Sequence, residues 1–389
     1  MANKTEKPKK PYTDFPLFPH ATGRWAKKIR GKQHYFGPWN DPDAALKKYL
    51  TQRDELQAGR TPRSTSGGLT VRDMVNRFLT AKQYLVETQE LMPRTFRDYH
   101  TTCELIIDHF GKSLAVSDVQ TADFEKLRAK FAKTRGLVSL GNVVRMVRIV
   151  FKYAFDADLI ERPIKFGPGF KLPSKKALRT VRNSRPRRMF EAVELQQILK
   201  AADQPLKAMI LLGINCGFGQ TDISRLPRAA LNLETGWANF PRPKTAVERR
   251  CPLWKETIAA LKSLKRPNPK VESDAGLVFI TKYGAPFVRI NEKGTVIDAV
   301  GLEFGKLLRE LKLKRMGLNF YALRHTFETI AGDSRDQVAV DFIMGHAPGS
   351  DDMAAVYRER IGNERLVAVT EFLHRWLFAK PKTATKKTE

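Results

Sequence analysis

Cysteine, acidic side chains and long apolar runs are all scarce in this 389-residue chain. The three cysteines, Cys103, Cys216 and Cys251, lie far apart and form no CxxC pair. That spacing excludes a disulfide framework and a zinc finger, and it fits a reducing compartment. The seven histidines do not cluster at metal-ligand spacings, so no metal and no other cofactor is expected. No apolar stretch reaches the roughly 18–20 residues of a spanning helix, and the opening MANKTEKPKK has no apolar signal core. A cytoplasmic protein without a membrane partner is the expectation. Against 41 Asp and Glu stand 69 Lys and Arg, a net +28. That surplus draws the chain to a polyanion through phosphate neutralisation and counterion release, and with membrane set aside the polyanion is nucleic acid. A hydrophobic content of 42% is ordinary for a globular protein and excludes wholesale disorder.

At the usual size of roughly 100–200 residues per domain, the chain has room for two or three. Residues 22–40 alternate basic, apolar and aromatic types around Arg30-Gly31, predicting a hairpin or three-stranded sheet. Asp41 caps, and Pro42 opens, a following helix. This ββα unit, over 12–60, exposes Arg24, Lys27, Lys28, Arg30 and Lys32 as candidate nucleic-acid contacts. After the flexible TPRSTSGG (61–68), apolar spacing near 3.6 predicts helices at 70–87, 93–110, 118–134 and 139–157, started by Thr70, Pro93 and Ser139. Together they predict a compact bundle over 69–160. The last helix sets Arg145, Arg148 and Lys152 beside an apolar stripe, a candidate phosphate-facing surface. A strap over 161–190 then carries ten basic residues, Arg187 and Arg188 among them, and between 162 and 190 no acidic one. Charge of one sign extends such a strap, which would suit a phosphate backbone between two domains closing on a duplex.

From 191 to 379 a mostly helical domain with small strands is expected, followed by a basic tail over 380–389. Helices are predicted at 191–203, 205–215, 220–227, 254–265, 297–313, 321–333, 336–344, 352–361 and 364–378, and strands at 231–240, 247–253 and 277–280. The fold class is multidomain and mainly α with small β elements. The chemistry concentrates in three ordered motifs: YALRHTF at 321–327, MGH at 344–346, and AAVYRER ending in Tyr357-Arg-Glu-Arg360. Upstream, PRPKTAVERRCPLW (241–254) places Lys244 in a turn before a basic run. Taken singly, an Arg-His pair is commonly surface charge, and a tyrosine among Ala354, Ala355 and Val356 commonly packs. Order and spacing together lift them above that.

This string resembles the C-terminal signature of tyrosine recombinases, the phage integrase family: an HxLRHTF element, an LGH element, then a tyrosine on a following helix, with a β-hairpin lysine upstream. The resemblance covers the last half of the chain, and more weakly reads 69–158 as a core-binding domain and 12–57 as an arm-type domain. It implies a site-specific recombinase acting on double-stranded DNA, with Tyr357 as nucleophile forming a 3′-phosphotyrosyl link. Arg324 would grip two phosphate oxygens, His346 would donate a hydrogen bond to a phosphate oxygen, and Lys244 would protonate the 5′-hydroxyl leaving group. It further implies a homotetramer on DNA with exchange of the C-terminal helix, an accessory DNA-bending protein, and a nucleoid-associated location.

Two positions depart from the family pattern. Tyr321 stands where a histidine is usual. In Cys216-Gly-Phe-Gly219-Gln-Thr-Asp-Ile-Ser-Arg-Leu226, the position of the family's first catalytic arginine falls on Gly219. Losing one preorganised charge slows such a reaction about 10²–10³-fold. Gln220, Arg225 and the amides of the glycine-rich helix start are the candidate replacements, with Arg228 also near in sequence. The competing class is a non-catalytic DNA-binding homologue with an architectural or regulatory role, and a type IB topoisomerase is a third.

Overall fold

The computed structural model describes residues 7–59, 68–291, 295–347, 349 and 352–379, with only the backbone at 356. The expected basic tail and all of the 61–68 linker but Gly68 fall outside these residues. The chain divides after Ser184 into two units.

The N-terminal unit holds two cores. The first is a β1-β2-β3 antiparallel sheet, β1 (Phe18–His20), β2 (Arg24–Ile29) and β3 (Lys32–Pro38), covered by α1 (Pro42–Gln57). Arg30 and Gly31 both take positive φ, 50° and 79°, which gives the β2–β3 turn the twist its strands need. Asp41 accepts from the Ala44 amide at 3.0 Å and caps α1 as its position predicts. Phe15, Leu17, Trp25, Phe36 and Tyr49 fill the space between sheet and helix.

The second core is a bundle of α2 (Val71–Glu87), α3 (Pro93–Phe110), α4 (Thr121–Thr134) and α5 (Leu137–Asp156), with α6 (Lys175–Asn183) after it. Thr70 and Asp73 form a reciprocal capping box on α2, and Pro93 opens α3. Ser139 starts no helix: α5 begins two residues earlier, after Gly136. The expected free strap over 161–190 is also corrected. Its first part carries two phenylalanines, and burying them outweighs the repulsion of the charges beside them. Phe170 is fully buried in the bundle core, and Phe166 stacks on it and packs against Phe124. Arg128 and Arg148 donate to the carbonyls of Lys171 and Phe170, at 2.9 and 2.8 Å, and hold the segment down. Nine further residues of the strap are helical, in α6, capped by Ser174.

The C-terminal unit runs α7 (Ala192–Ala201), α8 (Leu206–Asn215), α9 (Gln220–Arg225), β4 (Leu231–Asn232), β5 (Trp237–Asn239), β6 (Arg250–Pro252), α10 (Lys255–Lys262), β7 (Val288–Ile290), β8 (Val296–Asp298), α11 (Ala299–Glu310), α12 (Ala322–Gly332), α13 (Gln337–Met344), α14 (Met353–Val356) and α15 (Asn363–Phe378). The single strand expected over 231–240 is two, β4 and β5, separated by a turn that Asn232 caps with its side chain. Residues 277–280 form only a bridge from Leu277 to Pro227, and the β7–β8 hairpin falls where no strand was expected. The helix expected over 352–361 stops at Val356, because Tyr357–Ile361 offers the core only Ile361 and Gly362 then caps the next helix.

α8 is apolar on every side and forms the axis of this unit. At its end the buried Asn215 donates to Pro252 O at 3.0 Å and accepts from the Trp254 amide and Thr257 Oγ1, both at 2.9 Å, so β6 and α10 are clipped to it. α15 closes the same core with Leu366, Val369, Thr370, Leu373 and Leu377. Trp254 Nε1 donates to Thr370 O at 3.1 Å, and Gln196 Nε2 to Leu377 O at 2.6 Å. In this single chain the C-terminal helix packs into its own domain core. Among the described residues, no helix is long and apolar enough to cross a membrane.

Candidate active site

Arg324 lies in the first turn of α12 and is 3% exposed. Nη1 donates to Gly217 O at 2.7 Å and Nη2 to Met344 O at 2.8 Å. The guanidinium therefore ties the segment before α9 to the end of α13. Burial, then the neighbouring Arg242, pull its pKa down to about 10, still far above neutrality.

Two further arginines converge on this point from the loop between β5 and β6. Arg249 is equally buried, stacks 4.2 Å from the Phe218 ring centre, and donates from Nε to Phe240 O at 2.6 Å. It pairs with Asp222: Nη1 donates to Oδ2 at 3.3 Å, and Nη2 lies 3.2 Å from Oδ1 but out of hydrogen-bonding alignment. Burial pushes its pKa down and Asp222 opposes the shift. Arg242 is half-buried, with Nη1 donating to Gly345 O at 3.4 Å. Gly345 has φ 63°, and a Cβ there would stand 3.0 Å from Arg242 Cβ and 3.2 Å from Arg249 Cδ. Both the left-handed backbone and the crowding demand glycine. Sequence reasoning had missed Arg242, Arg249 and Asp222; their only signal was the basic run around Lys244.

The replacements expected near Gly219 are not brought to this cluster. Gln220 Nε2 donates instead to Asp298, the N-cap of α11, at 3.4 Å. Arg225 is exposed at the end of α9, and Arg228 donates to Ala275 O. Nor is the Gly219 amide available, since it donates to Asp222 Oδ2 at 2.9 Å. The Tyr321 ring lies beside Gly219, 3.4 Å from where a Cβ would sit.

His346 follows directly on Gly345. Its Nδ1 is 3.0 Å from Asp341 Oδ1, one turn back on α13, which holds the proton on Nδ1 and leaves Nε2 open. Glu328, Asp341 and His346 offer ligand atoms within 4.8 Å of one another, a spacing a divalent ion could use, although Gln337 already donates to both carboxylates. His325 stacks edge-on to Tyr321; burial, then Arg188 and Arg324, hold its pKa below the usual histidine range. Lys244 is exposed in the turn at 243–245, where backbone bonds from Arg242 N to Val247 O and from Ala246 N to Arg242 O close the loop. Tyr357 follows α14 and is 77% exposed, so it does no packing work. A cleft of about 290 Å³ is lined by Glu248 of the same loop, by Asp341 and His346, and by Ala355 and Arg358 on either side of Tyr357.

In the N-terminal unit the candidate DNA contacts divide. Arg24 and Lys28 are exposed on β2, whereas Lys27 lies over the Tyr49 ring at 4.8 Å and Arg30 donates to Gln57 O. Arg145 is exposed and donates to Asn142; Arg148 is engaged by Phe170 O and the Phe166 ring, and Lys152 by Asp156. Arg187 and Arg188 are exposed at the start of the C-terminal unit.

Residues 188–361 match the model of the phage integrase family. Among solved structures, the chain is similar to the Tn1549 transposon integrase in complex with a circular intermediate DNA, at 18% identity over 79% of this chain and 100% of that one, with a TM-score of 0.56. It is likewise similar to a lambda integrase tetramer bound to a Holliday junction, at 16% identity over 90% and 98%, with a TM-score of 0.55. No curated protein sequence matches it.

Proposed function

We propose that the chain, whose residues 188–361 match the model of the phage integrase family, is a tyrosine-type site-specific DNA recombinase that cuts and rejoins strands through Tyr357. The observation carrying this reading is Arg324, a buried guanidinium whose hydrogen bonds go to two carbonyls rather than to a carboxylate. Of its five N–H groups two are spent, and three remain for the oxygens of a phosphodiester.

In the proposed cleavage, Tyr357 Oη attacks phosphorus and the bond to the 5′ oxygen breaks, leaving the strand joined through a 3′-phosphotyrosine. The phenol proton passes to His346 Nε2, whose tautomer Asp341 fixes. Lys244 gives a proton to the departing 5′ oxygen. Arg324 offsets the charge that gathers on the phosphate. Attack by the 5′-hydroxyl of another strand reverses each transfer and rejoins the DNA. Double-stranded DNA is the substrate, with Arg24, Lys28, Arg145, Arg187 and Arg188 as the exposed contacts to its phosphates. The lambda integrase relative is a tetramer on its junction, and the same assembly is proposed for this chain, with an accessory DNA-bending protein and a nucleoid-associated location.

The test is a nicked duplex carrying the chain's own recombination site. A covalent, protease-sensitive adduct is expected, and it disappears in Tyr357→Phe without a change in melting temperature. Specific binding with no adduct under any condition overturns the enzymatic reading and leaves a DNA-binding homologue. Relaxation of supercoiled plasmid lacking the site points instead to a topoisomerase.

A further inference from the structure

Building on that reading, we infer that Arg242 is a second phosphate-gripping catalytic residue, delivered by the loop that carries Lys244, with the Arg249–Asp222 pair as its positioning support. The charge balance carries the first half. The neighbours that act most strongly on Arg324 include two guanidiniums, Arg242 and Arg249, the Tyr321 phenol and one carboxylate, Asp222. Asp222 is committed to Arg249 and to the Gly219 amide. Among the described residues neither Arg242 nor Arg324 forms an ion pair with a carboxylate, and a partly buried like-charge pair is stabilised by an anion between or beside it. A phosphodiester gathering a second negative charge during phosphoryl transfer matches two such cations.

Geometry carries the second half. Arg324 hangs from Met344 O and Arg242 from Gly345 O, successive carbonyls at a left-handed turn that His346 follows at once. The long 3.4 Å bond and the half-exposed side chain leave Arg242 free to turn to a ligand, which the buried, stacked Arg249 is not. Arg249 and Arg242 crowd the same side of Gly345, so the buried Arg249 packs beside Arg242 and limits where it can go. Gly219 has no side chain to offer, and its amide is spent on Asp222. The second cation therefore comes from the β5–β6 loop and not from α9. Because the loop is closed by backbone bonds of Arg242, truncating its side chain leaves the Lys244 turn intact.

Two measurements on the full chain test this. In phenylglyoxal footprinting read by mass spectrometry, inorganic phosphate should protect Arg242 about fivefold or more at concentrations that leave the exposed Arg225 unchanged, and Arg324→Ala should remove the protection. Equal protection of Arg242 and Arg225 overturns the inference whether or not the chain cleaves DNA. If Arg242 is protected but no wild-type adduct forms, the anion pocket stands and the recombinase reading falls. Where adducts form, Arg242→Ala should slow them about 10²–10³-fold on an ordinary scissile phosphate. The deficit should shrink to within about tenfold on an uncharged methylphosphonate, and Arg242→Lys should recover part of the rate. The same deficit on both linkages, or a rate within threefold of wild type on the phosphate, overturns the catalytic role.

Discussion

Arg148 and Arg324 make the same kind of bond to opposite ends. Each donates to a main-chain carbonyl far away in sequence, Arg148 to Phe170 and Arg324 to Gly217 and Met344. In the helical bundle the guanidinium is solvent-exposed, lies over Phe166, and acts as a strut for a segment that would otherwise lift away. In the C-terminal unit it is buried beside two more guanidiniums and one carboxylate. The first arrangement is favourable by itself. The second opposes folding and makes physical sense only where a ligand supplies the missing negative charge. Residue type alone does not separate a strut from a site; the balance of charge around the buried group does.

The sharpest way to break this contrast is Asp222→Asn. Removing the one carboxylate leaves Arg249 buried and unpaired, and should lower the stability of the C-terminal unit by about 3–5 kcal/mol. In urea melts followed separately for the two units, that transition should move while the N-terminal one stays; an unmoved C-terminal transition would show the cluster to be balanced from elsewhere. Gly345→Ala comes next. A Cβ on a left-handed backbone against Arg242 and Arg249 should cost about 1–3 kcal/mol, and DNA cleavage should fall with it; a fully active variant would detach the turn from the chemistry. Arg148→Ala is the mirror experiment. Losing a hydrogen bond and a ring contact should destabilise only the N-terminal unit, by about 1–2 kcal/mol, and leave cleavage of pre-bound DNA unchanged. The smallest effect belongs to an ordinary surface pair. Arg365 hydrogen-bonds Asp336, the N-cap of α13, and holds its carboxyl below the usual range. A depressed acid stabilises above its unfolded pKa of about 3.9, and that contribution is lost as pH falls through the folded value. Wild type and Arg365→Gln should therefore differ by less than about 1 kcal/mol at pH 7 and converge once the pH has fallen below the depressed folded value.

Much of this was legible in the sequence where one residue type has one physical use. Asp41-Pro42, Thr70 with Asp73, and Pro93 mark helix starts because caps act locally, and the apolar period of 3.6 placed α2 to α5 within a few residues. The short strands and the segment after Val356 were misplaced because their limits depend on what packs over them. Arg324, His346, Lys244 and Tyr357 stood out through order and spacing. Arg242 and Arg249 did not: they sit among other basic residues, and only the fold separates a guanidinium over Phe218 from one in water. Gln220 shows the converse, being next to Gly219 in sequence yet turned to Asp298.

The docking of α15 on its own domain has an optical consequence. The Trp254 indole is buried, donates to Thr370 O, and meets the His374 ring edge-on at 5.2 Å and Phe378 at 6.1 Å. All three contacts come from α15, so an event that draws this helix off, in assembly or on DNA, strips the indole of its covering and shifts its emission to the red. The chain carries a built-in reporter for whether its last helix is home, and it needs no added dye.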